Sequence, residues 1–288
     1  MRSVLPVLAV IAAIIALWYA GALALNAKWA REQAARSGTE LSLTALVVET
    51  MNQERALLPA PHQVLAELWD STVNKRVTSK RSLVFHGWIT LQATLWGFAL
   101  GVVVGVGLAI AIVYSKVMDM SVMPWAIISQ TIPIVAIAPM IIVVMSLIGI
   151  EERLVPKAVI SAYLCFFPIL VGMVKGLRAP ESAQLDLMRT YNASALQSFF
   201  KLRLPASLPY LFASAKVGIA AALVGTIVGE LPTGALRGLG ARILVGDQFG
   251  PPIRIWSALL AASILAAALV ATVGLIQRIT LKRMGMAQ

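Results

Sequence analysis

Acids, cations and histidines are sparse in this chain, so each one that falls inside an apolar stretch is a candidate for chemistry. Lys216 and Glu230 stand in one apolar run, fourteen residues apart. That is about 21 Å along a helix, too far for them to pair with each other. Lys216 lies two turns in from a polar boundary and is long enough to snorkel out of an apolar slab. Glu230, at the other end, suits a gate or a contact with a partner, or else a pairing with a nearby cation such as Arg237. A second run is interrupted by Gln130-Thr131-Ile132-Pro133 and again by Pro139. Proline lacks a donor and frees carbonyls, and such breaks are tolerated at membrane depth only inside protein or beside a water-filled cavity. Gln130, Thr131, Pro133, Pro139 and Glu230 are therefore candidates to line a solute path; at the prolines a purely structural kink is the equal alternative.

Other chemistries find no footing. There is no G-x-S-x-G, no H-E-x-x-H, no paired carboxylate, and no G-x-x-x-x-G-K-[ST] loop that would hold ATP in this chain. No catalytic residue is expected. His62 and His86 stand apart from each other and from any acid or cysteine at ligand spacing, so no metal is expected either. Cys165 is the single cysteine and lies in an apolar run, which excludes an intrachain disulfide. The net charge of +11 might suggest nucleic acid, but the basic residues punctuate long apolar runs and form no polar domain, so no nucleic-acid partner is expected.

The elements that must position these residues follow from composition. The 288 residues are 59% hydrophobic and 13% charged, with a mean hydropathy of +0.84, so the bilayer is the main solvent. A crossing takes about 20 apolar residues as helix. Six stretches qualify, at residues 4–25, 92–114, 122–148, 156–174, 210–228 and 255–276, and an all-α integral membrane fold is expected. The first exceeds the usual length of a cleaved signal, which favours a retained anchor. Residues 26–90 form a long extracytoplasmic segment, residues 91–280 the core of five further spans, and residues 281–288 a tail. In the long segment, Leu41 to Val48 is too short to cross. Pro59-Ala60-Pro61 precedes Val64, Leu65, Leu68 and Trp69 at helical spacing. That pattern fits an amphipathic helix on the outer interface and equally a small packing helix. With both termini cytoplasmic, ten lysines and arginines lie inside. Thirteen lie outside, but eight of these belong to the long segment, which translocates largely regardless of charge, and five remain. The basic cluster Lys75, Arg76, Lys80 and Arg81 has no account at this level.

The most informative polar stretch is 178–206. Ala179-Pro180-Glu181 starts a helix that runs to about Tyr191. Asn192 tolerates the left-handed conformation of a helix exit, and Ser194 with Gln197 forms a capping box for a second helix ending at Leu204-Pro205. The hairpin carries Phe199, Phe200, Leu202 and Leu204 as apolar anchors. They suit a groove on a partner protein, or else the membrane interface and the underside of the bundle. Separately, Gly97, Gly101 and Gly105 recur every fourth residue, which makes a groove for a closely approaching helix unless they reflect only the frequency of glycine in membrane helices.

The segment from Asp186 to Pro209 resembles the EAA loop of binding-protein-dependent ABC importer permeases. Asp186 stands where that family has Glu, Leu187 and Met188 where it has Ala-Ala, and Asn192 where it has Gly; acid and left-handed tolerance are retained. Leu58-Pro-Ala-Pro-His-Gln-Val64 and Gln130-Thr-Ile-Pro133-Ile-Val-Ala-Ile-Ala-Pro139 resemble signatures of the nitrate, taurine and alkanesulfonate subfamily. Phe166-Phe-Pro168 and Val228-Gly-Glu230 with Gly238-Leu-Gly240 resemble others, and together they cover roughly residues 58 to 280.

The resemblance implies a type I importer permease with six transmembrane helices in a bacterial inner membrane, working as a pair of permease copies. It also implies separate ATPase subunits that bind ATP and magnesium, and an extracytoplasmic solute-binding protein. It makes the hairpin the ATPase-coupling element, through Asp186, Arg189, Tyr191, Asn192, Ala193, Ser194, Phe199, Phe200, Leu204 and Pro205, and it leaves no cofactor in this chain. The implied cargo is a small organic anion or nitrogen heterocycle. Gly229-Glu-Leu-Pro-Thr-Gly234 with Gly238-Leu-Gly-Ala-Arg242 resembles members associated with heterocycle uptake. The rival function is an ion-coupled secondary carrier, which ordinarily shows internal repeats and intramembrane acids near the midplane; neither is evident in the sequence.

Overall fold

The computed structural model describes residues 4–38, 42–53, 55–150, 152–232 and 237–286. Arg2, Leu41, Thr233, Gly234 and the last two residues of the tail lie outside them. Among the described residues all regular structure is helical: α1 (Val4–Ser37), α2 (Leu43–Met51), α3 (Pro61–Trp69), α4 (Leu83–Tyr114), α5 (Lys116–Ser129), α6 (Ile134–Leu147), α7 (Leu154–Leu177), α8 (Ser182–Thr190), α9 (Ala195–Ser198), α10 (Leu204–Glu230), α11 (Leu239–Phe249) and α12 (Ile253–Arg283). Among the described residues five helices are long and apolar enough to cross a membrane: α1, α4, α7, the continuous run Ala195–Glu230 that includes α10, and α12. A sixth exists if α5 and α6 count as one span.

The third stretch, 122–148, falls on two helices that part at Pro133, the first of the two prolines that interrupt it. Helices α5 and α6 meet at 103°. Proline at 133 has no N–H to continue a helix and bars Ile132 from the helical basin. Gln130 and Thr131 instead close a final turn by donating to the Ile127 and Ile128 carbonyls at 3.1 and 3.0 Å, and Pro133 becomes the residue that opens α6. The first helix is also longer than its apolar stretch, running to Ser37 and past Leu25. The extension, Asn26 to Arg36, is rich in alanine, lysine, arginine, glutamate and glutamine and lacks proline and glycine, so helix propensity carries it beyond the apolar zone.

The chain forms two compact units, Met1–Gly87 with Leu236–Ala262, and Trp88–Ala235 with Ser263–Gln288. In the first, the hub is Asn26. Its buried amide donates to Leu58 O at 2.8 Å, and its Oδ1 accepts from the N–H groups of Leu57 and Leu58 at 2.9 and 3.3 Å. Trp18 Nε1 donates to Pro59 O at 3.1 Å. These bonds tie the chain entering α3 onto α1, leaving Val64 buried and Leu65 and Trp69 exposed. His86 is buried and fully used: Nδ1 accepts from Gly238 N and Nε2 donates to Lys80 O, both at 2.9 Å. A carbonyl can only accept and an N–H only donate, so these partners fix the Nε2–H tautomer. Gly238 has φ 124°, outside the reach of other residues.

In the second unit α7 is the central element, with Ile160, Ile169, Leu170, Met173 and Leu177 fully buried. The glycine row of α4 lies against it. A Cβ on Gly97 would overlap the Ser161 side chain, one on Gly101 would sit 2.9 Å from Cys165 Cβ, and one on Gly105 would sit 2.7 Å from Phe166 O. From the α10 side, a Cβ on Gly225 would sit 2.9 Å from Ser161 Cα. Backbone-level contact lets short polar side chains bond between helices. Ser161 Oγ donates to Ala222 O at 2.8 Å, and Thr94 Oγ1 donates to Thr226 Oγ1 at 3.0 Å.

The same packing buries an ion pair. Glu230 is fully buried; its carboxylate accepts from Thr90 Oγ1 at 3.0 and 3.1 Å and lies 3.3 Å from Lys157 Nζ, itself 4% exposed. Of the settings open to Glu230 in the sequence, the structure gives it pairing with a cation, Lys157 among its partners, and Thr90 as a polar neighbour inside the protein. Attraction between buried charges only roughly offsets their desolvation, whereas stranding one of them is expensive.

Two outcomes follow. Gly101→Leu should lower the stability of the purified chain by about 1–3 kcal/mol, read as a thermal shift in detergent. Gly107→Leu, at a position with nothing within 4 Å, should be neutral; equal effects of the two would refute the close-contact account. Removing one member of the pair, as Lys157→Met or Glu230→Leu, should cost about 3–5 kcal/mol, while the double variant recovers most of it. Strictly additive losses in that cycle would mean that the two charges do not support each other.

Candidate functional site

The hairpin after α7 is built by caps. The α8 N-terminus is set at Glu181, whose N–H donates to Gln184 Oε1 at 3.1 Å. Arg189 Nη1 and Asp186 Oδ1 are 3.1 Å apart on its exposed face. At the exit Asn192 has φ 50°, and the N–H groups of Asn192 and Ala193 reach back to the Arg189 and Met188 carbonyls at 2.8 and 3.0 Å. Ser194 and Gln197 then form a reciprocal box: Ser194 Oγ accepts from Gln197 N at 3.2 Å, and Gln197 Oε1 accepts from Ser194 N at 2.9 Å.

The return helix does not stop at Leu204-Pro205, which corrects the boundary read from proline. Phe199–Arg203 forms a π-helical turn that joins α9 to α10 without a gap. Pro205 would clash with the carbonyl four residues back, at Lys201; the wider turn, in which Leu204 N–H reaches Phe199 O, relieves it. Proline here marks a change of helix type and not an end.

The base of the hairpin is pinned while its tip is free. Arg203 donates to Leu177 O at 2.8 Å and lies over the Tyr114 ring at 5.9 Å. Arg178 and Asp119 pair at 2.9 Å. Phe199 meets Tyr114 edge-on at 6.2 Å and, with Leu204, packs on the buried core of Ile112, Met173 and Leu177. Leu187, Tyr191, Leu196 and Phe200 are exposed by 56%, 76%, 70% and 60%. The two roles open at the sequence level are therefore divided: Phe199 packs under the bundle, and Phe200 with its exposed neighbours faces outward. A cavity of about 280 Å³ lies between Ile110, Tyr114, Ala195, Leu196, Phe199 and Phe200, lined by carbon alone.

The candidate path residues fall into two groups. Gln130, Thr131 and Pro133 sit together in the bend between α5 and α6, with Pro139 inside α6. There Thr131 Oγ1 donates to Ile128 O at 2.8 Å and Gln130 Nε2 to Ser129 Oγ at 3.3 Å. Tyr163 OH of α7 donates to Ser129 O, which ties the bend to the central helix. Glu230 belongs instead to the Thr90–Lys157 cluster. Lys157, Thr90, Thr94 and Thr226 escaped the sequence reading. Lys157 is one of the five cations that the positional count leaves outside, although it falls in the first turn of an apolar run, and Thr90 with Thr94 shows the four-residue spacing of one helix face.

Part of the unexplained basic cluster lines a second, polar cavity of about 300 Å³, where Lys75 and Arg81 meet Glu67, Asp70, Arg242 and Arg254. Lys75 pairs with Asp70 at 2.8 Å, and hydrogen bonds from Lys75 and Asn74 hold the Asp70 carboxyl below its usual range. Burial, then the adjacent Arg254, lower the Arg242 pKa, opposed by Glu67.

Comparison with known proteins gives this arrangement its context. Residues 101–286 match the family described as binding-protein-dependent transport system inner membrane component. A probable ABC transporter permease protein of Haemophilus influenzae is 30% identical over 203 residues, covering 70% of this chain and 77% of the relative. The formylaminopyrimidine transport permease protein ThiX of Halalkalibacterium halodurans is 30% identical over 200 residues, 68% of this chain and 74% of its own. The riboflavin transport system permease protein RibX of Chloroflexus aurantiacus is 29% identical over 227 residues, 78% and 80% of the two chains. With the helical bundle and the capped hairpin already placed, these matches establish that the chain belongs to the family of binding-protein-dependent transport system inner membrane components, the permease subunits of ABC importers.

Proposed function

We propose that this permease passes a small nitrogen heterocycle or organic anion, delivered by an extracytoplasmic binding protein, and that the hairpin couples it to ATPase subunits on the cytoplasmic side. The observation that carries the reading is the division within the hairpin. A base fixed by Arg203, Arg178 and Phe199 holds out Leu187, Tyr191, Leu196 and Phe200, which suits a short helix inserted into a partner groove. The chain has no phosphate-binding loop of its own, so ATP and magnesium belong to the partner. The lysine and arginine bias supports an orientation with both termini in the cytoplasm. Two permease copies enclose the path, to which the bend at Gln130, Thr131 and Pro133 contributes uncharged polar groups. Formylaminopyrimidine and riboflavin permeases among the relatives support a heterocycle, and nitrate and aliphatic sulfonate permeases among them support an anion.

The test is co-purification of the tagged chain from native membranes, followed by ATP-dependent uptake in proteoliposomes with its binding protein. A Walker-motif ATPase should be recovered in stoichiometric amount. Recovery of the chain alone, with uptake that follows an ion gradient and ignores ATP, would transfer it to the ion-coupled carriers.

For the hairpin, Tyr191→Asp and Phe200→Asp should leave membrane yield and thermal stability unchanged, yet lower ATPase recovery and uptake by at least about tenfold, because a charge is stranded in an apolar contact. Phe199→Asp should lower stability as well, since that ring packs on the core. Full recovery of ATPase with the two exposed variants would sink the coupling assignment.

A further inference from the structure

We infer that the cavity between α10 and the end of α12 is a binding site for the phosphate of an anionic phospholipid. The cavity measures about 770 Å³ and is lined by Lys216, Arg278 and Lys282, with Gln277, Pro209 and Leu281. Three cations therefore face one space with no carboxylate among the lining residues. Among the described residues none of the three makes an ion pair.

Lys216 is the unusual member. It leaves α10 well inside the apolar run and extends across Gly274 of α12, where a Cβ would stand 3.5 Å from its Cε and 3.9 Å from its Nζ. The ammonium thus crosses from one helix to the other over a position that carries no side chain. Like charges gathered in a partly enclosed space disfavour one another, and an anion that bridges them removes that cost. Basic pockets between transmembrane helices are suited to phosphate headgroups, and each nearby cation adds to the attraction. The Gln277 amide provides a further donor.

The surroundings choose between a lipid phosphate and a dissolved one. Both helices that bound the cavity are long and apolar enough to cross a membrane, and Pro209 and Leu281 stand in its lining beside the cations. A free anion has no use for apolar walls, whereas acyl chains continuing from a bound headgroup pack against such helices. The site is separate from the hairpin and the bend, and it does not rest on the identity of the transported solute. Its occupancy holds α12 against α10, so it makes membrane charge a determinant of how firmly those helices stay together.

The experiment is native mass spectrometry of the full-length chain in detergent, offered phosphatidylglycerol or phosphatidylcholine with the same acyl chains. Phosphatidylglycerol should stay bound under activation that strips phosphatidylcholine. Replacing Lys216→Gln, Arg278→Gln and Lys282→Gln together should lower the bound fraction by at least about tenfold. Gly274→Leu, which keeps all three charges but fills the space beneath Lys216, should lower it likewise, and it decides the matter if the triple variant does not fold. Equal retention of the two lipids, or unchanged binding in the variants, overturns the proposal. Displacement of the lipid by millimolar inorganic phosphate also overturns it and makes the cavity a site for a small soluble anion.

Discussion

In lipid, apolar side chains gain little by facing one another instead of acyl chains, so membrane helices are held by close fit and by hydrogen bonds across their interface. Around α7 this constraint governs the second unit. Glycines at 97, 101 and 105 of α4 and at 225 of α10 leave no room for side chains at the crossings. Serine and threonine can therefore reach a neighbouring backbone directly, as Ser161 reaches Ala222 O. A larger residue on either side would separate the helices by more than a hydroxyl can span, and the fit and the bonding would fail together.

The buried charges depend on the same closeness. A carboxylate at the end of α10 tolerates full burial only if its partners are already in place. Thr90 from α4 and Lys157 from the first turn of α7 are brought there by the glycine row. From that cluster a continuous helix, including one π-helical turn, runs back to Ala195 at the hairpin. The hairpin and the Glu230 cluster are thus two ends of one rod. Displacement at one end is either carried to the other or absorbed in the π-helical turn, since a regular helix is stiff along its axis. Phe199 and Arg203 begin and close that turn, and both are anchored to the bundle through Tyr114.

How much of this could be read from residues alone depended on whether the deciding interaction was local. The caps of the hairpin were legible: Asn192 at the helix exit and Ser194 with Gln197 at the next entry act within four residues. Helix length was less so. Apolar run and helix coincide only where lipid sets the limit, and α1 continues through Asn26 to Ser37 on propensity. The two prolines in the motifs carried opposite meanings that their neighbourhoods did not announce. Pro133 breaks a helix, because two further non-helical residues before it complete a turn. Pro205 does not, because a π-helical turn before it accommodates the ring. Both outcomes satisfy the same missing donor.

The Lys157–Glu230 pair shows why charge counting along a sequence fails at a helix end. Assigning Lys157 to the outer loops treats it as a solvated cation that reports topology, which is sound for residues that translocate freely. But a lysine one residue after Pro156 is already within the first turn of α7, where its stem points along the packed face. Its charge is answered by Glu230, seventy-three residues away in the chain, and no local pattern encodes that distance. A helix-end cation should be removed from the topology count whenever an acid ends another span at the same membrane face. Lys157 opens α7 and Glu230 closes α10, so the packing of the two helices brings both ends together, and a cation held there by an acid says nothing of which side of the membrane it faces.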